Sequence, residues 1–403
     1  MTHDLVLHGA RLLTGDDQPS SVERIETTPD GWVAVDGGRV AALGHGVPPH
    51  GREQVDTAGD WLAPGFVDVH VHGGARGDVM APERTSRDAV RRLHAQHGTT
   101  AMLASTVSRP PEELHAAVDR LAGDIGSPSS EPMARLVGIH LEGPFLSRVR
   151  RGAHQETALR PPDQVETDIL LEAGRGYVRT VTIAPELPGA IDLVRTLVAA
   201  EVTVAVGHTD ADADAVRAAV DAGARAVTHT FNGMQPLHHR RPGLVGMAMD
   251  RPELTCELIL DLVHVDPIVA RALVHAAGAG RICLVTDAMA ATGVSDGTYE
   301  LGGQVVEVVG GQARLSGTST LAGSTLTMAT AVENAVAHLA VDVPTAVAMA
   351  TTIPARLLHD VDVGRLHAAG PADLVRLDAA ARLRGVWISG QQVDQNPKEV
   401  SVG

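Results

Sequence analysis

Between residues 66 and 289 eight short runs rich in apolar and β-branched residues recur, namely FVDVHVH, TAMLASTVS, ARLVGIHLEG, VRTVTIAPE, VTVAVGHTD, ARAVTHTFN, TCELILDLVH and RICLVTDAM, with helix-length patterns between them. Strands covered on both faces read as continuous apolar runs, whereas half-exposed strands alternate. Eight strand–helix units of this length predict a closed (β/α)8 TIM barrel, with an open doubly wound sheet as the alternative. An open sheet would carry a glycine-rich phosphate loop after its first strand, and neither a Walker-type nor a dinucleotide-type fingerprint occurs there. The intervening helices carry their own punctuation. SRDAVRRLHAQHG has Ser86 as its expected cap and stops at Gly98, DADADAVRAAVDAG stops at Gly223, and DPIVARALVHAAG opens on Asp266-Pro267 and stops at Gly278.

The flanks have a different rhythm. DLVLHGARLL and GWVAVDGGRVAALG at the front, with GPADLVRLD and LRGVWISGQQV at the back, are short strand-like pieces joined by Gly and Asp turns. They predict one small β-sandwich domain assembled from both chain ends, residues 1–61 and 359–403, around a barrel at 62–358. At 403 residues the chain exceeds what one hydrophobic core usually sustains, which agrees with two units. A strand-rich insert, TYELGGQVVEVVGGQARLSG (298–317), follows the eighth run. The pentapeptide GVSDG (293–297) matches the Gly-x-Ser-x-Gly pattern of serine hydrolases, but it follows a loop and precedes a strand-like run, so it reads as a turn.

Charge narrows the partners. The 33 basic and 49 acidic residues give a net charge of −16, which disfavours nucleic acid and anionic membrane surfaces. No apolar run is long enough to span a bilayer, and the N-terminus lacks a basic region followed by an apolar core, so a cytoplasmic location is expected. Cys256 and Cys283 lie inside apolar runs and read as buried free thiols.

In a parallel barrel the chemistry gathers where the strands end. The first run ends in His70 and His72, which share a face with Asp68 by period-two spacing. Taken alone, that pair reads first as a set of hydrogen-bonded histidines at a strand end, and it needs further ligands before it means metal. The third run ends in His140 and Glu142, the fifth in His208, the sixth in His229 and Asn232, the seventh in Asp261 and His264, and the eighth in Asp287. A barrel collects these scattered groups at one rim. Imidazoles and carboxylates without thiolates suit Zn2+, with Fe2+ sharing the same ligands, better than Ca2+ or Mg2+. Such an ion lowers the pKa of bound water and polarises a carbonyl, and Asp287 is the carboxylate placed to move the proton. The alternative for Asp287 is a helix N-cap in TDAMA. Arg148, Arg150, Arg151, Arg240 and Arg241 cluster in two loops of an otherwise acidic chain. A phosphate dianion would need such a patch, although exposed arginines are also simply solvated.

With these residues placed, the chain resembles the amidohydrolase superfamily and, within it, the N-acetylglucosamine-6-phosphate deacetylase family. The resemblance rests on LAPGFVDVHVHG, HGTT, GIHLEGPF, RGAH, GHTD, THTFNGM, HRRPGLVG, LVTDAM and LAGSTLTM, which together span nearly the whole chain. It implies that Glu142, His208 and His229 hold the main metal and that Asp287 acts as general base and then acid. Where such enzymes bind a second metal, it implies His70 and His72 as ligands, with Glu142 bridging and Asp287 nearby, giving one or two ions per subunit. It also implies that Asn232, the Gly233 backbone and His264 meet a sugar phosphate and that His154 contacts the substrate near its carbonyl. Arg240 would reach the active site of the neighbouring subunit of a homodimer. The implied reaction is removal of the acetyl group from N-acetylglucosamine 6-phosphate, with the galactosamine isomer as the alternative substrate. One departure stands out. The family pattern Asp-Gly-x-His after the seventh strand has Leu262 in place of the glycine here, which could re-aim His264.

Overall fold

The structure, a computed structural model, describes residues 2–15, 27–127, 129–359 and 362–395. All eight expected runs contain a strand: Phe66–Asp68, Thr99–Thr106, Arg135–Glu142, Val178–Ile183, Thr203–Val206, Ala226–Val227, Thr255–Ile259 and Ile282–Val285. They lie side by side in chain order, every neighbouring pair parallel. Buried Val, Ile and Leu side chains from these strands and from the surrounding helices merge into one core, which is why the runs lack polar alternation.

Strands one and eight meet beyond their last residues. Asp287 N donates to His70 O and His72 N to Ala288 O, each at 2.9 Å. Just below, Asp68 stitches the same seam, its carboxylate accepting from Thr286 Oγ1 at 2.6 Å and Thr286 N at 3.3 Å. Burial pushes Asp68 up to about 7 against the hydrogen bonds from Thr286 and His70. Past the end of strand one, Val71 N donates to Ser105 Oγ at 3.0 Å and Val71 O accepts from Ser105 N at 2.8 Å, so strand two still holds the segment that carries the histidines.

Helix boundaries follow the sequence punctuation with one correction. Asp212 accepts from the N–H groups of Asp214 and Ala215, Asp266 accepts from Ile268 N, and Gly223, Gly278 and Gly98 sit at positive φ past their helices. Ser86 is not a cap. The helix Arg84–Gln96 starts two residues earlier, and Ser86 Oγ is engaged by Asp78 N in the loop after strand one.

The same helix carries His94, fully buried, whose Nε2 lies 3.0 Å from Gly73 O directly behind the His70–His72 segment. Burial depresses it to about 4, against the Gly73 hydrogen bond. An unfolded histidine titrates near 6.5, so between these values the unfolded chain binds the extra proton. Stability is therefore complete above pH 6.5 and is lost as pH falls through 6.5 toward 4, by about 2 kcal/mol at pH 5. Denaturant unfolding of His94→Gln at pH 7 and pH 5 is expected to show that much less acid sensitivity than the wild type. Identical pH slopes would refute the assignment.

The strands at both chain ends form a separate eight-stranded sheet with its own apolar core, including Leu7, Leu12, Val33, Leu374 and Trp387. Trp61–Pro64 joins the ends by pairing with Leu374–Leu377 on one side and with the long first strand His3–Leu13 on the other. This strand spans the boundary expected at residue 62, and the chain passes into the barrel at Gly65. The insert is a three-stranded antiparallel sheet, Gly297–Leu301, Gln304–Val309 and Gln312–Leu315. Its Leu301, Val306 and Val308 pack on Val107, Met289 and Ala322, so it sits as a fixed roof at the rim. Ser295 of GVSDG lies in the turn before that roof. Cys256 and Cys283 are buried free thiols, and no helix among the described residues is long and apolar enough to cross a membrane.

Candidate metal centre and substrate cavity

The barrel delivers its polar groups by ending its strands early. Glu142 is the last residue of strand three, and His208, His229 and Asp287 each lie two residues past strands five, six and eight. These three residues have φ of 46°, 28° and 51°. For residues with a Cβ the left-handed region costs about 1–2 kcal/mol each, strain of a kind that concentrates at functional sites. Gly233 completes the turn after strand six at φ 60°, where a Cβ would come within 2.9 Å of His208 Nδ1.

Glu142 stands at the centre, buried. Its Oε1 is 3.0 Å from His208 Nε2, 3.1 Å from His229 Nε2 and 3.4 Å from His70 Nε2, while its Oε2 is 3.3 Å from both His72 Nε2 and His154 Nε2. Asp287 Oδ1 lies 3.2 Å from His72 Nε2 and 3.6 Å from His70 Nε2. Two sets of donor atoms fall within 4.8 Å of one another, His70–His72–Asp287 and Glu142–His154–His208. Asp287 is not a helix cap, since only turns follow it.

Tautomers separate ligands from donors. His72 Nδ1 faces Ser105 O at 3.0 Å, His208 Nδ1 faces Arg150 O at 2.9 Å and His70 Nδ1 faces a Glu257 carboxylate oxygen at 3.0 Å. All three partners accept, so in the neutral ring each Nδ1 carries the proton and each Nε2 is left with a lone pair facing inward. His154 is the reverse. Ser108 N donates to its Nδ1 at 3.2 Å, so the neutral ring carries its proton on Nε2 and donates into the site. His154 therefore does not fit a metal ligand, although it lies among them. His229, with Nε2 on Glu142 and Nδ1 buried without a partner among the described residues, takes its place beside His208.

This donor set fits a divalent cation. His70 Nε2 and His72 Nε2 are 3.1 Å apart, and His208 Nε2 and His229 Nε2 are 2.9 Å apart. At that distance either a shared proton or a cation must lie between the two ring nitrogens. The electrostatics make the same demand. Burial opposes charge on His70 and His72, yet Glu142 and Asp287 drive His70 well above its ordinary value and His72 to about 9. Against their own burial, Glu142 is held well below the carboxylate range and Asp287 at about 2 by the surrounding imidazoles. His154, by contrast, is pushed by burial down to about 4.

Above the cluster opens a cavity of about 300 Å3, lined by His72, Glu142, His154, His208, His229, Asn232, Gly233, His264 and Asp287 and roofed by insert residues including Leu301 and Arg314. His264 is held by Asp261, which accepts from its backbone N at 2.8 Å and from Nδ1 at 2.7 Å. Leu262, where the family pattern has glycine, sits at φ 65°. The loop therefore keeps the conformation that glycine favours and bears the strain. The arginine patch is not at the cavity. Arg148 and Arg151 pair with Glu156, Arg150 pairs with Asp210, and Arg240 and Arg241 are exposed in the loop after strand six. Asn232 at the rim donates to His229 O at 3.2 Å.

A reading by strand ends places one residue wrongly and misses two. His140 points into the barrel with Nδ1 on Ser105 Oγ and Nε2 on Thr182 Oγ1, so it is a satisfied core residue despite its position beside Glu142. Arg314 comes from the insert. Glu257 lies in mid-strand within TCELIL, and its one available signal was a charge inside a fully apolar run.

Comparison with known proteins places this geometry. Residues 61–393 match the amidohydrolase family. The chain is 38% identical over 331 residues to N-acetylgalactosamine-6-phosphate deacetylase of Escherichia coli O157:H7, covering 82% of this chain and 87% of that protein. It is 38% identical over 307 residues to N-acetylglucosamine-6-phosphate deacetylase of Bacillus subtilis (strain 168), covering 75% and 77%. A variant of N-acetyl-D-glucosamine-6-phosphate deacetylase from Mycobacterium smegmatis, solved with N-acetyl-D-glucosamine-6-phosphate, superposes with a TM-score of 0.89 at 40% identity. That superposition covers 98% of this chain and all of the other.

Proposed function

The chain belongs to the amidohydrolase family, and from that premise we propose that it hydrolyses the acetamide of N-acetylglucosamine 6-phosphate to glucosamine 6-phosphate and acetate. The observation that carries the reading is the floor of the cavity, where inward-facing imidazole lone pairs and two carboxylates meet beside one imidazole that donates. Glu142, His208 and His229 would hold one divalent ion and His70, His72 and Asp287 a second. Zn2+ is the first choice and Fe2+ the other for this donor set. When bound, such an ion supplies water activation and polarisation of the acetamide carbonyl.

The chain's own residues do the rest. Asp287, ionised at neutral pH because His70 and His72 overcome its burial, accepts a proton from the attacking water. It returns that proton to the departing nitrogen as the C–N bond breaks. His154 Nε2–H, 3.3 Å from Glu142 Oε2 on the cavity floor, would donate to the carbonyl oxygen as negative charge develops on it. The RGAH loop that carries it is tied to the roof by Gln304 Nε2, which donates to Ala153 O at 2.6 Å, and this fixes the loop beside the cavity. Asn232, the Gly233 backbone and His264 take the phosphate end. Arg240, exposed and not among the residues that line its own cavity, would serve the neighbouring subunit of a cytoplasmic homodimer.

The relative named for the galactosamine substrate is as similar as the one named for glucosamine, so identity does not separate the two sugars. Acetate release from N-acetylglucosamine 6-phosphate, N-acetylgalactosamine 6-phosphate and unphosphorylated N-acetylglucosamine decides. We expect kcat/KM to be highest for the first and at least about 10²-fold lower without the phosphate, the scale at which several charge-assisted contacts are lost. Equal rates with and without phosphate would overturn the phosphosugar reading, and a preference for the galactosamine isomer would replace the substrate while keeping the mechanism.

A further inference from the structure

Glu257 is 1% exposed, in the middle of strand seven. A carboxylate there costs several kcal/mol unless it is compensated, so what it contacts is informative. Among the described residues, its two side-chain hydrogen bonds run through one oxygen. Oε2 lies 3.0 Å from His70 Nδ1 and accepts from the backbone N of His229 at 3.1 Å. His70 belongs to the group His70–His72–Asp287, and His229 approaches Glu142 and His208 from the other side. The two imidazoles stack with ring centroids 5.6 Å apart, and Glu257 spans the gap behind them, away from the cavity.

The contact has a defined chemical consequence. His70 has two ring nitrogens, and its Nε2 faces His72 Nε2, Glu142 and Asp287. If the neutral ring carried its proton there, it would offer no lone pair to an ion. An acceptor at Nδ1 holds the proton on the buried side and strengthens the opposite nitrogen as a ligand. His72 receives the same service from the Ser105 carbonyl and His208 from the Arg150 carbonyl. Of these three rings, only His70 receives it from a carboxylate.

We propose that Glu257 is the positioning residue of the second metal position, fixing the ring orientation and tautomer of His70 and tying that ring to the His229 backbone. Glu257 touches neither substrate nor ion and acts through His70. The inference rests on the metal-dependent reading of the site, and it explains how a strand that faces the core influences a rim 187 residues away in sequence.

The test is a Zn2+ titration of the metal-depleted full-length protein against a competing chelator, with the bound metal counted by elemental analysis. Wild type is expected to bind two equivalents, one tighter. Glu257→Met, which keeps the volume and removes the acceptor, is expected to weaken the second equivalent by about 10–100-fold, the usual range for such outer partners. The first equivalent is expected to stay within about threefold. Glu257→Gln, which keeps an acceptor oxygen without the charge, is expected to weaken the second equivalent by at least about fivefold on the same reasoning. It decides the matter by that threshold if the Met variant does not fold. In a His70→Asn background either change is expected to add nothing. Equal weakening of both equivalents, an unaltered second equivalent, or a full effect persisting without His70 would each overturn the proposal. So would a wild type that deacetylates the phosphosugar with a single equivalent, an outcome that leaves the proposed reaction intact. A wild type that binds no metal at all would instead remove the reading on which both depend.

Discussion

Asp287→Asn is expected to lower kcat for the phosphosugar by about 10³-fold, within the range for loss of a positioned general acid–base group, while the protein stays folded and retains the ion at the Glu142 position. Asparagine preserves the shape of the side chain, which sits at φ 51° and is held through its backbone N–H to His70 O and its carbonyl to Ser324 N. It cannot take a proton from water. The carboxylate is suited to that task because it is buried yet kept ionised by His70 and His72, so it begins the cycle as a base and returns the proton later. Steady-state kinetics with metal analysis of the same preparation make the measurement. Near-wild-type turnover in a metal-loaded Asn variant would mean that another group moves the proton.

The larger effect belongs to Glu142. Its two oxygens approach His70, His72, His154, His208 and His229, all within 3.0–3.4 Å, so it bears on both candidate metal positions and on the donor of the cavity. Glu142→Gln keeps the volume and replaces a shared anion with an amide whose nitrogen would face imidazoles. We expect loss of bound metal at both positions and a fall in kcat of at least about 10⁴-fold, equivalent to removing roughly 5.5 kcal/mol of transition-state stabilisation. The substitution also removes a carboxylate that raises His70 and His72, so the metal-free variant is expected to release protons from these rings at lower pH than the wild type. NMR titration of the histidine ring protons reads that shift. A Gln variant with wild-type metal content would show that the imidazoles alone suffice to hold the ions.

Much of this site was legible before any coordinates, because the features involved are local. Asp212, Asp266 and the glycines after the helices act within one or two turns of their own backbone, and strands covered on both faces advertise themselves by unbroken apolar runs. The strand ends then supplied an inventory, from which Glu142, His208, His229, His264 and Asp287 did converge on one cavity. Sequence reading goes wrong where a side chain is claimed by a partner outside its own helix turn, near or far along the chain. Ser86 is taken by Asp78, and the loop arginines are taken by Glu156 and Asp210.

His140 and His154 show the limit most clearly. Each is a histidine at the rim by sequence position. Only the packed structure shows that His140 is satisfied by two hydroxyls and that an amide from Ser108 turns His154 into a donor. Glu257 is the converse, a residue placed by its run in the core and drawn into the site by His70.

The amino-acid sequence by itself determined the eight-strand order, the helix ends and the residue types available at the rim, since hydrophobic periodicity and backbone preference act over a few residues. The tertiary structure alone decided which imidazole nitrogens face inward, because a ring's tautomer depends on a hydrogen-bond partner that chain folding brings from another strand. It also decided that Asp68 closes the barrel while His70 and His72, on the same face two and four residues later, enter the site. The seam between strands one and eight runs out between them, and that seam exists only once the barrel has closed.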